Sequence, residues 1–249
     1  MTTTPSTTTT TSHLPGAAAP SGSAARDERR MLLCGLFVGL TYLIGVAFTF
    51  VFFATSHPAM DATPVEAAVG FRDAGTMVAV GTFLMMLPVP FALLFLGGLE
   101  VVLRRVVDGP LIPAAISAGV LSFLIPAIGA LVSAVTPAIG AADTSAAAGA
   151  VVKALDGVMP LSVALSGFPR AVLLIAVAVL LARAGLAGRV LRISGYAIAG
   201  LGILGTATFV VQGLFPLASL SALLFIAWMT SLAVVLRRRA TQPRREQLG

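Results

Sequence analysis

The sequence predicts an all-α protein, a polytopic membrane bundle of six transmembrane helices with both termini in the cytoplasm. Composition is the first reason. Hydrophobic residues make up 57% of the 249-residue chain, charged residues make up 10%, and the mean hydropathy is +0.99, values typical of membrane proteins rather than water-soluble domains. Charge distribution is the second reason, because the basic residues form short clusters separated by long, uncharged, apolar segments.

The apolar segments are long enough to cross a bilayer, whose hydrocarbon core of about 30 Å takes about 20 helical residues. They are continuous and rich in Leu, Ala and Gly, which favours helices over the alternating strands of a β-barrel. The fourth segment is the least clean, so five or seven crossings are the alternatives if it is re-entrant or interfacial. The predicted crossings are residues 31–54, 76–98, 111–135 and 159–184, followed by two within 193–236 that are joined by a turn at 213–216.

Two tails flank the predicted transmembrane domain, which covers residues 26–240. Residues 1–25 are mostly Thr, Ser, Pro, Ala and Gly. They offer too little apolar surface to offset the entropy of ordering, so we expect a disordered cytoplasmic tail. Residues 241–249 are predicted to form a short basic cytoplasmic tail.

The orientation follows from the basic residues. Thirteen of the sixteen Lys and Arg residues lie on one side of the predicted membrane, and only Arg72, Lys153 and Arg170 remain for the other side. Cytoplasmic loops retain Lys and Arg during insertion, so both termini are expected in the cytoplasm. The preference for Arg over Lys, together with the high Ala content, suits a bacterial genome of high G+C content and indicates a bacterial plasma membrane.

Arg170 is the basic residue that can lie deep within a crossing. If the fourth helix begins near Met159, Arg170 lies roughly 16 Å along it, where it could line a cavity and bind an anion or substrate. If the helix begins at Pro169, a residue type favoured in the first helical turn, Arg170 lies at the outer interface. The sequence favours the interface, with the side chain reaching toward the surface.

Gln212 carries the other polar side chain singled out within a crossing, near the outer end of the fifth helix. We expect its amide to hydrogen-bond to another helix, and contact with a transported substrate is the alternative. In the second external loop, the Ala-rich residues 145–155 predict either a short surface helix or a plain connector.

Several membrane activities require residue types that the predicted crossings do not contain. An intramembrane serine protease needs a buried Ser and His pair, but the histidines are His13 in the tail and His57 in a loop. Metal-dependent enzymes and proton-coupled carriers need acids or His ligands in or near the crossings. We therefore expect no catalytic residue, no metal and no cofactor. Nucleic acid is not an expected partner either, because the net charge of +6 flanks helices instead of covering one face.

The C-terminal third supplies a resemblance. The segments "GRVLRISGYAIAGLGILG" and "LFPLASLSALLFIAWMTSLAVVLRRR" place a basic turn before a Gly-rich fifth helix, and a Phe- and Trp-bearing sixth helix before a basic end. In this respect the chain resembles a large family of uncharacterised six-span bacterial integral membrane proteins, over roughly residues 167–239. The resemblance implies six crossings and no enzymatic role.

Three functional hypotheses follow. The first is a non-enzymatic partner or accessory protein, in contact with the lipid bilayer and with other membrane proteins or a second copy of itself. Its basis is the small-residue spacing of Gly35 and Gly39, which lets helices approach closely, together with the scarcity of polar residues. The second is a transporter of a small apolar or anionic compound, motivated by Arg170, Gln212 and prolines such as Pro126 that can break helices. The third is a membrane enzyme of unrecognised type.

Overall fold

The computed structural model describes residues 22–186 and 188–241. These residues form eleven α-helices and two 3₁₀ turns, without a strand, which confirms the all-α prediction. The predicted N-terminal and C-terminal tails lie almost entirely outside the described residues, and α1 begins at Gly22. The helices are α1 Gly22–Thr55, α2 Pro64–Asp73, α3 Gly75–Met86, α4 Pro88–Arg104, α5 Leu111–Ser133, α6 Thr136–Ala142, α7 Ala146–Asp156, α8 Val158–Leu165, α9 Gly167–Arg183, α10 Arg189–Thr206 and α11 Phe215–Thr241.

Six helical segments of the described chain are long and apolar enough to cross a membrane. The predicted count of six is thereby confirmed over the alternatives of five and seven. Even the fourth segment, the least clean in sequence, is a long apolar helix built from α7, α8 and α9. The six crossings are Arg26–Thr55, Gly75–Arg104, Leu111–Ala142, Ala146–Arg183, Arg189–Phe209 and Phe215–Arg239.

Short joints divide several crossings into two or more helices while the chain keeps helical angles. Leu87 separates α3 from α4 and keeps helical angles (φ −59°, ψ −34°), as does Ser166 between α8 and α9 (φ −63°, ψ −10°). Pro88 and Pro169 each stand in the first turn after a joint, where proline is favoured, and neither has an N–H to donate to the carbonyl oxygen four residues earlier. The fifth and sixth crossings are joined by the 3₁₀ turns Ala207–Phe209 and Gln212–Leu214.

The six crossings form a ring in which each packs against its neighbours in chain order. The pairs in contact are α1 with α4, α4 with α5, α5 with α9, α9 with α10, α10 with α11, and α11 with α1. The sixth crossing therefore closes the ring on the first. The largest fully buried side chains include Phe95, Leu173 and Met229, which come from three different crossings and fill the space between them.

Glycines let neighbouring helices of this ring approach closely. Gly35 lies against Ala233 of α11 and Phe95 of α4, where an added Cβ would be 2.6 Å and 2.7 Å from their nearest atoms. Gly195 lies against the indole of Trp228, whose Nε1 donates a hydrogen bond of 2.8 Å to the carbonyl oxygen of Leu191. Close helix approach within one chain thus explains these spacings.

The Arg-rich ends of the crossings carry ion pairs and a helix-end contact. Glu100 and Arg104 form an i,i+4 pair, with 2.7 Å between Arg104 Nη2 and Glu100 Oε1. Arg105 pairs with Glu28, which connects the second crossing to the first. Arg239 Nη1 donates to the carbonyl oxygen of Gly185, a glycine with a φ of +62° that ends α9. These contacts lie at or near the surface, where a single ion pair contributes about 0–1 kcal/mol.

At the opposite end, α2 packs against α6 and α7, which are the ends of the third and fourth crossings on this side, and we call these three helices the cap. The side chain of Thr63 accepts a hydrogen bond from the Glu66 N–H, and Glu66 accepts one from the Thr63 N–H, so a capping box begins α2. Gly149 of α7 lies directly against the backbone of Pro64, and Lys153 Nζ donates 2.7 Å to the carbonyl oxygen of Ala62. The Ala-rich segment is therefore a helix, and it packs on α2.

Candidate functional site

Arg170 lies inside the helix ring, so its side chain does not reach toward the surface as the sequence led us to expect; its depth relative to the membrane boundary stays a prediction. The residue is only 3% exposed. The sequence argument assumed that the helix, and with it the membrane, begins at Pro169. Pro169 does stand in the first turn of α9, but α8 places two further helical turns before it, and the Arg170 N–H donates 3.1 Å to the Ser166 carbonyl oxygen across the joint.

The guanidinium of Arg170 is held by two buried serines. Its Nη2 donates a 2.6 Å hydrogen bond to Ser166 Oγ, one turn earlier, and its Nη1 donates a 3.3 Å hydrogen bond to Ser221 Oγ of α11. Both serines are 0% exposed. The Nε atom is also buried and has no hydrogen-bond partner among the described residues.

An aromatic ring rather than a carboxylate faces this cation. The Cζ of Arg170 lies 5.4 Å from the ring centroid of Phe225, within the range of a cation–π interaction. Phe225 in turn contacts Phe123, with 5.7 Å between ring centroids. Of the ion pairs formed by the described residues, none includes Arg170. The positive charge is therefore buried without a carboxylate counterion in the described chain.

Arg170 lines a cavity of about 30 Å³, which is room for roughly two water molecules. Every crossing except the fifth contributes to its walls. The polar walls are Arg170 and the hydroxyl-bearing Tyr42 and Ser122, and the rest is apolar. The apolar part includes Met85, Val89, Phe123, Val163, Phe225 and Ile226.

Two prolines lie in the cavity wall where helices are weakened. Pro88 begins α4 immediately after the joint at Leu87. Pro126 lies within α5 and has no N–H for the carbonyl oxygen of Ser122, so one helical hydrogen bond is lost beside the cavity. With the joint at Ser166, three crossings thus have a joint or a missing hydrogen bond near Arg170. Full breaks in helices surround the binding sites of many transporters, whereas the joints here keep helical angles.

The site lies toward the end of the bundle that carries the cap, away from the arginine clusters. At a rise of 1.5 Å per residue, Arg170 is about 20 Å from Arg183 along α9, and Ser221 is about 24 Å from Arg237 along α11. Tyr42 is about 18 Å from Arg30 along α1 on the same measure. In a hydrocarbon core of about 30 Å, these distances predict a position between the centre and the boundary nearer the cap.

Gln212 is the second candidate residue from the sequence. Its backbone belongs to the 3₁₀ turn Gln212–Leu214 between the fifth and sixth crossings, and its side chain lies outside the described part of the chain. The expected hydrogen bond to another helix therefore stays a prediction.

His57 marks a second polar cluster, within the cap. Its Nε2 lies 3.3 Å from Asp156 Oδ2 and its Nδ1 lies 2.6 Å from the Pro58 carbonyl oxygen. Its ring stacks on Phe53 with 4.4 Å between centroids and meets Phe71 edge-on. Both polar partners are acceptors, so the arrangement favours the imidazolium, which carries a hydrogen on each nitrogen. No three potential metal ligands gather anywhere in the described residues.

We expect the cap to be more stable at about pH 5.5 than at about pH 8. Burial lowers the pKa of His57, but the hydrogen bond and charge of Asp156 and the Pro58 carbonyl outweigh it and raise the pKa above the ordinary 6.5. A raised pKa means that the stabilisation is complete below about 6.5 and is lost as pH rises through the folded value. The stability of the cap at each pH is measured by hydrogen exchange of the α2 and α7 amides, corrected for the intrinsic pH dependence of exchange. The Asp156→Asn variant should reduce this dependence, and an unchanged slope in that variant would contradict the assignment.

Sequence reasoning found Arg170 but missed the residues around it. Ser166 was detectable, because it precedes Arg170 by four residues and so shares its helix face. Tyr42, Ser122 and Ser221 come from three other crossings, and nothing in their local sequence separates them from other hydroxyl residues of membrane helices. Only the ring arrangement of the crossings brings Tyr42 and Ser122 to the cavity and Ser221 to the guanidinium of Arg170.

The fold and this site define an integral, multi-pass membrane protein, a six-helix bundle with a buried arginine beside an internal cavity. Comparison of the chain with protein-family models, curated proteins and solved structures finds no match in any of the three. The resemblance of residues 167–239 to uncharacterised six-span membrane proteins therefore stays a prediction.

Proposed function

We propose that the protein transports a small anionic compound across the membrane and that Arg170 binds its negative charge. The observation that carries the proposal is the buried arginine, which lines a small cavity between the helices and has no carboxylate partner in the described chain. Ionisable groups inside membrane bundles typically mark substrate or ion pathways.

Stability alone is a poor explanation for this arginine. A charged Arg at the centre of a membrane helix costs about 2.5–3.5 kcal/mol on insertion scales. Two serine hydroxyls and one aromatic ring recover part of that cost, but they supply no opposite charge. An apolar side chain would pack against Phe225 without this cost, so the presence of the charge favours a role in binding.

The transport proposal is tested by uptake into proteoliposomes that contain the purified full chain. Radiolabelled methanesulfonate, sulfate and phosphate serve as probes, and vesicles without protein give the background. We expect uptake of at least one anion above background, with Arg170 required for it. Absence of Arg170-dependent uptake for all three would overturn the proposal.

The accessory role stays a hypothesis with weaker support. Its basis in the sequence was the small-residue spacing, which internal contacts such as Gly35 with Ala233 now explain. The lipid bilayer is the partner that the exposed apolar side chains imply, since Leu40, Phe50 and Phe83 are among many large apolar residues at the bundle surface. For the third hypothesis, a membrane enzyme, the described residues add no supporting cluster.

We further propose that the protein lies in a bacterial plasma membrane with both termini in the cytoplasm, and hence with the cap outside. The support is the distribution of basic residues. An even number of crossings also puts both ends on one side. A fluorescent reporter fused after Gly249 should be active in the cytoplasm, whereas a phosphatase fused at the same place should be inactive. The reverse pattern would contradict this orientation.

A further inference from the structure

We infer that the Arg170 cavity binds a monovalent oxyanion carrying a short apolar group, the chemistry shared by small carboxylates and sulfonates. The inference rests on the proposed transport function and specifies its substrate class. It draws on three observations: the number of charges in the cavity, the hydrogen-bond donors that Arg170 still offers, and the apolar character and size of the remaining walls.

The charge count favours a monovalent ligand. Arg170 is the one charged residue among those that line the cavity. One guanidinium neutralises one negative charge, and a second negative charge would be buried without a partner, which is strongly unfavourable in a membrane interior. A sulfate or dicarboxylate dianion is therefore disfavoured relative to a monoanion of similar size.

The donor arrangement favours an oxyanion. Nη1 and Nη2 each donate one hydrogen bond to a serine, and Nη2 carries a second hydrogen, while Nε–H has no acceptor in the described chain. Nε and Nη2 form one edge of the planar guanidinium, and two oxygens of one ligand can accept two parallel hydrogen bonds from it once a small side-chain shift exposes the buried Nε. The Tyr42 hydroxyl in the same wall is a further potential donor.

The remaining walls favour a short apolar group on that oxyanion. Apolar side chains that include Phe123, Val163 and Ile226 make up most of the lining. They offer no hydrogen bond to a second polar group, and an unsatisfied polar group there would be destabilising. The cavity of about 30 Å³ is smaller than such an anion, so the surrounding side chains must shift to admit it, and an apolar group of methyl size is favoured over a long chain.

The test compares matched anions by thermal unfolding of the purified full chain at constant ionic strength. Methanesulfonate and sulfate differ in charge, whereas methanesulfonate and nitrate share one charge but differ in the methyl group. Sulfate stabilises many proteins through exclusion from their surface, so each shift is taken as the difference between the parent and Arg170→Met. Arg72→Met, which changes an exposed cap arginine paired with Asp73, is the control for nonspecific anion effects.

We expect an Arg170-dependent stabilisation by methanesulfonate, with an apparent affinity about tenfold or more above those of sulfate and nitrate. Because ligand binding to the folded state raises the unfolding temperature by mass action, affinity is read from the concentration dependence. Equal Arg170-dependent effects of sulfate and methanesulfonate would overturn the monovalent class, and equal effects of nitrate would overturn the apolar group. In both cases the transport proposal would stand. No Arg170-dependent effect of any anion would contradict both proposals.

A second pair of variants keeps the inference testable if Arg170→Met does not fold. Arg170→Lys retains one charge but loses the planar edge, so methanesulfonate should bind about tenfold more weakly to it. Ile226→Ala enlarges the cavity beside the arginine, so the preferred sulfonate should lengthen from methane- to propanesulfonate. An unchanged preference in Ile226→Ala would place the apolar group elsewhere and contradict the inference.

Discussion

Replacing Arg170 with methionine is expected to abolish anion uptake while leaving the thermal stability of the ligand-free protein unchanged or higher. Methionine fills a similar volume without a charge, and replacing buried ionic groups by well-packed apolar ones is often neutral or stabilising. Loss of one partner of a buried charge pair costs about 2–5 kcal/mol of binding free energy, which corresponds to about thirtyfold or more in affinity. Uptake by proteoliposomes and the unfolding temperature in detergent are the two measurements.

Two further variants separate charge from packing. Arg170→Ala removes the charge and also leaves a cavity under Phe225, so it should lose both uptake and stability. Arg72→Met is the matched control, because it removes an exposed arginine of the cap and should leave both quantities unchanged. If Arg170→Met unfolded readily but still carried anions, Arg170 would be a structural residue and the proposed function would be wrong.

Two glycines of α10 should respond in opposite directions to the same substitution. An added Cβ on Gly205 would lie 2.6 Å from Ala218 Cα and 2.7 Å from its backbone nitrogen, whereas one on Gly200 would meet no atom within 4 Å. Because the obstruction at Gly205 is backbone, α11 would have to move. Overpacking of this kind typically costs about 1–3 kcal/mol. Gly200→Ala, at an exposed helical site, should be neutral or stabilise by up to about 1 kcal/mol.

The difference between these two variants is measured as the free energy of unfolding in the same detergent. It reports the contact between α10 and α11 and is independent of the Arg170 cavity, since neither glycine lines it. Equal stabilities of Gly205→Ala and Gly200→Ala would mean that the two helices do not approach as closely as described.

Length and hydropathy were sufficient to predict the crossings, because a bilayer imposes nearly the same demand on every segment that spans it. The Glu100–Arg104 pair was predictable for a similar reason, since i,i+4 spacing places both side chains on one helix face. The turn was located less well, as Pro216 falls inside the first turn of α11 and the preceding helix ends at Thr206. A proline in a first turn and a proline after a helix are difficult to distinguish by composition.

The environment of Arg170 was not predictable, for a different physical reason. The residue at which a helix begins and the residue at which the chain enters the membrane need not coincide, and Pro169 indicates only where a helix begins. Burial of the guanidinium depends on how α9 packs against α5 and α11, which hydropathy does not encode. The cap is a comparable case, because the contact of His57 with Asp156 joins residues 99 positions apart.

The distance in sequence between His57 and Asp156 determines when the cap can form during synthesis of the chain. His57 follows the first crossing, but Asp156 and Lys153 belong to α7, which is synthesised only after three crossings have emerged. Until then His57 lacks the Asp156 carboxylate, and the carbonyl oxygen of Ala62 lacks the hydrogen bond that the Lys153 ammonium donates. The cap therefore assembles late, and its closure joins the first half of the chain to the start of the second once both have been inserted.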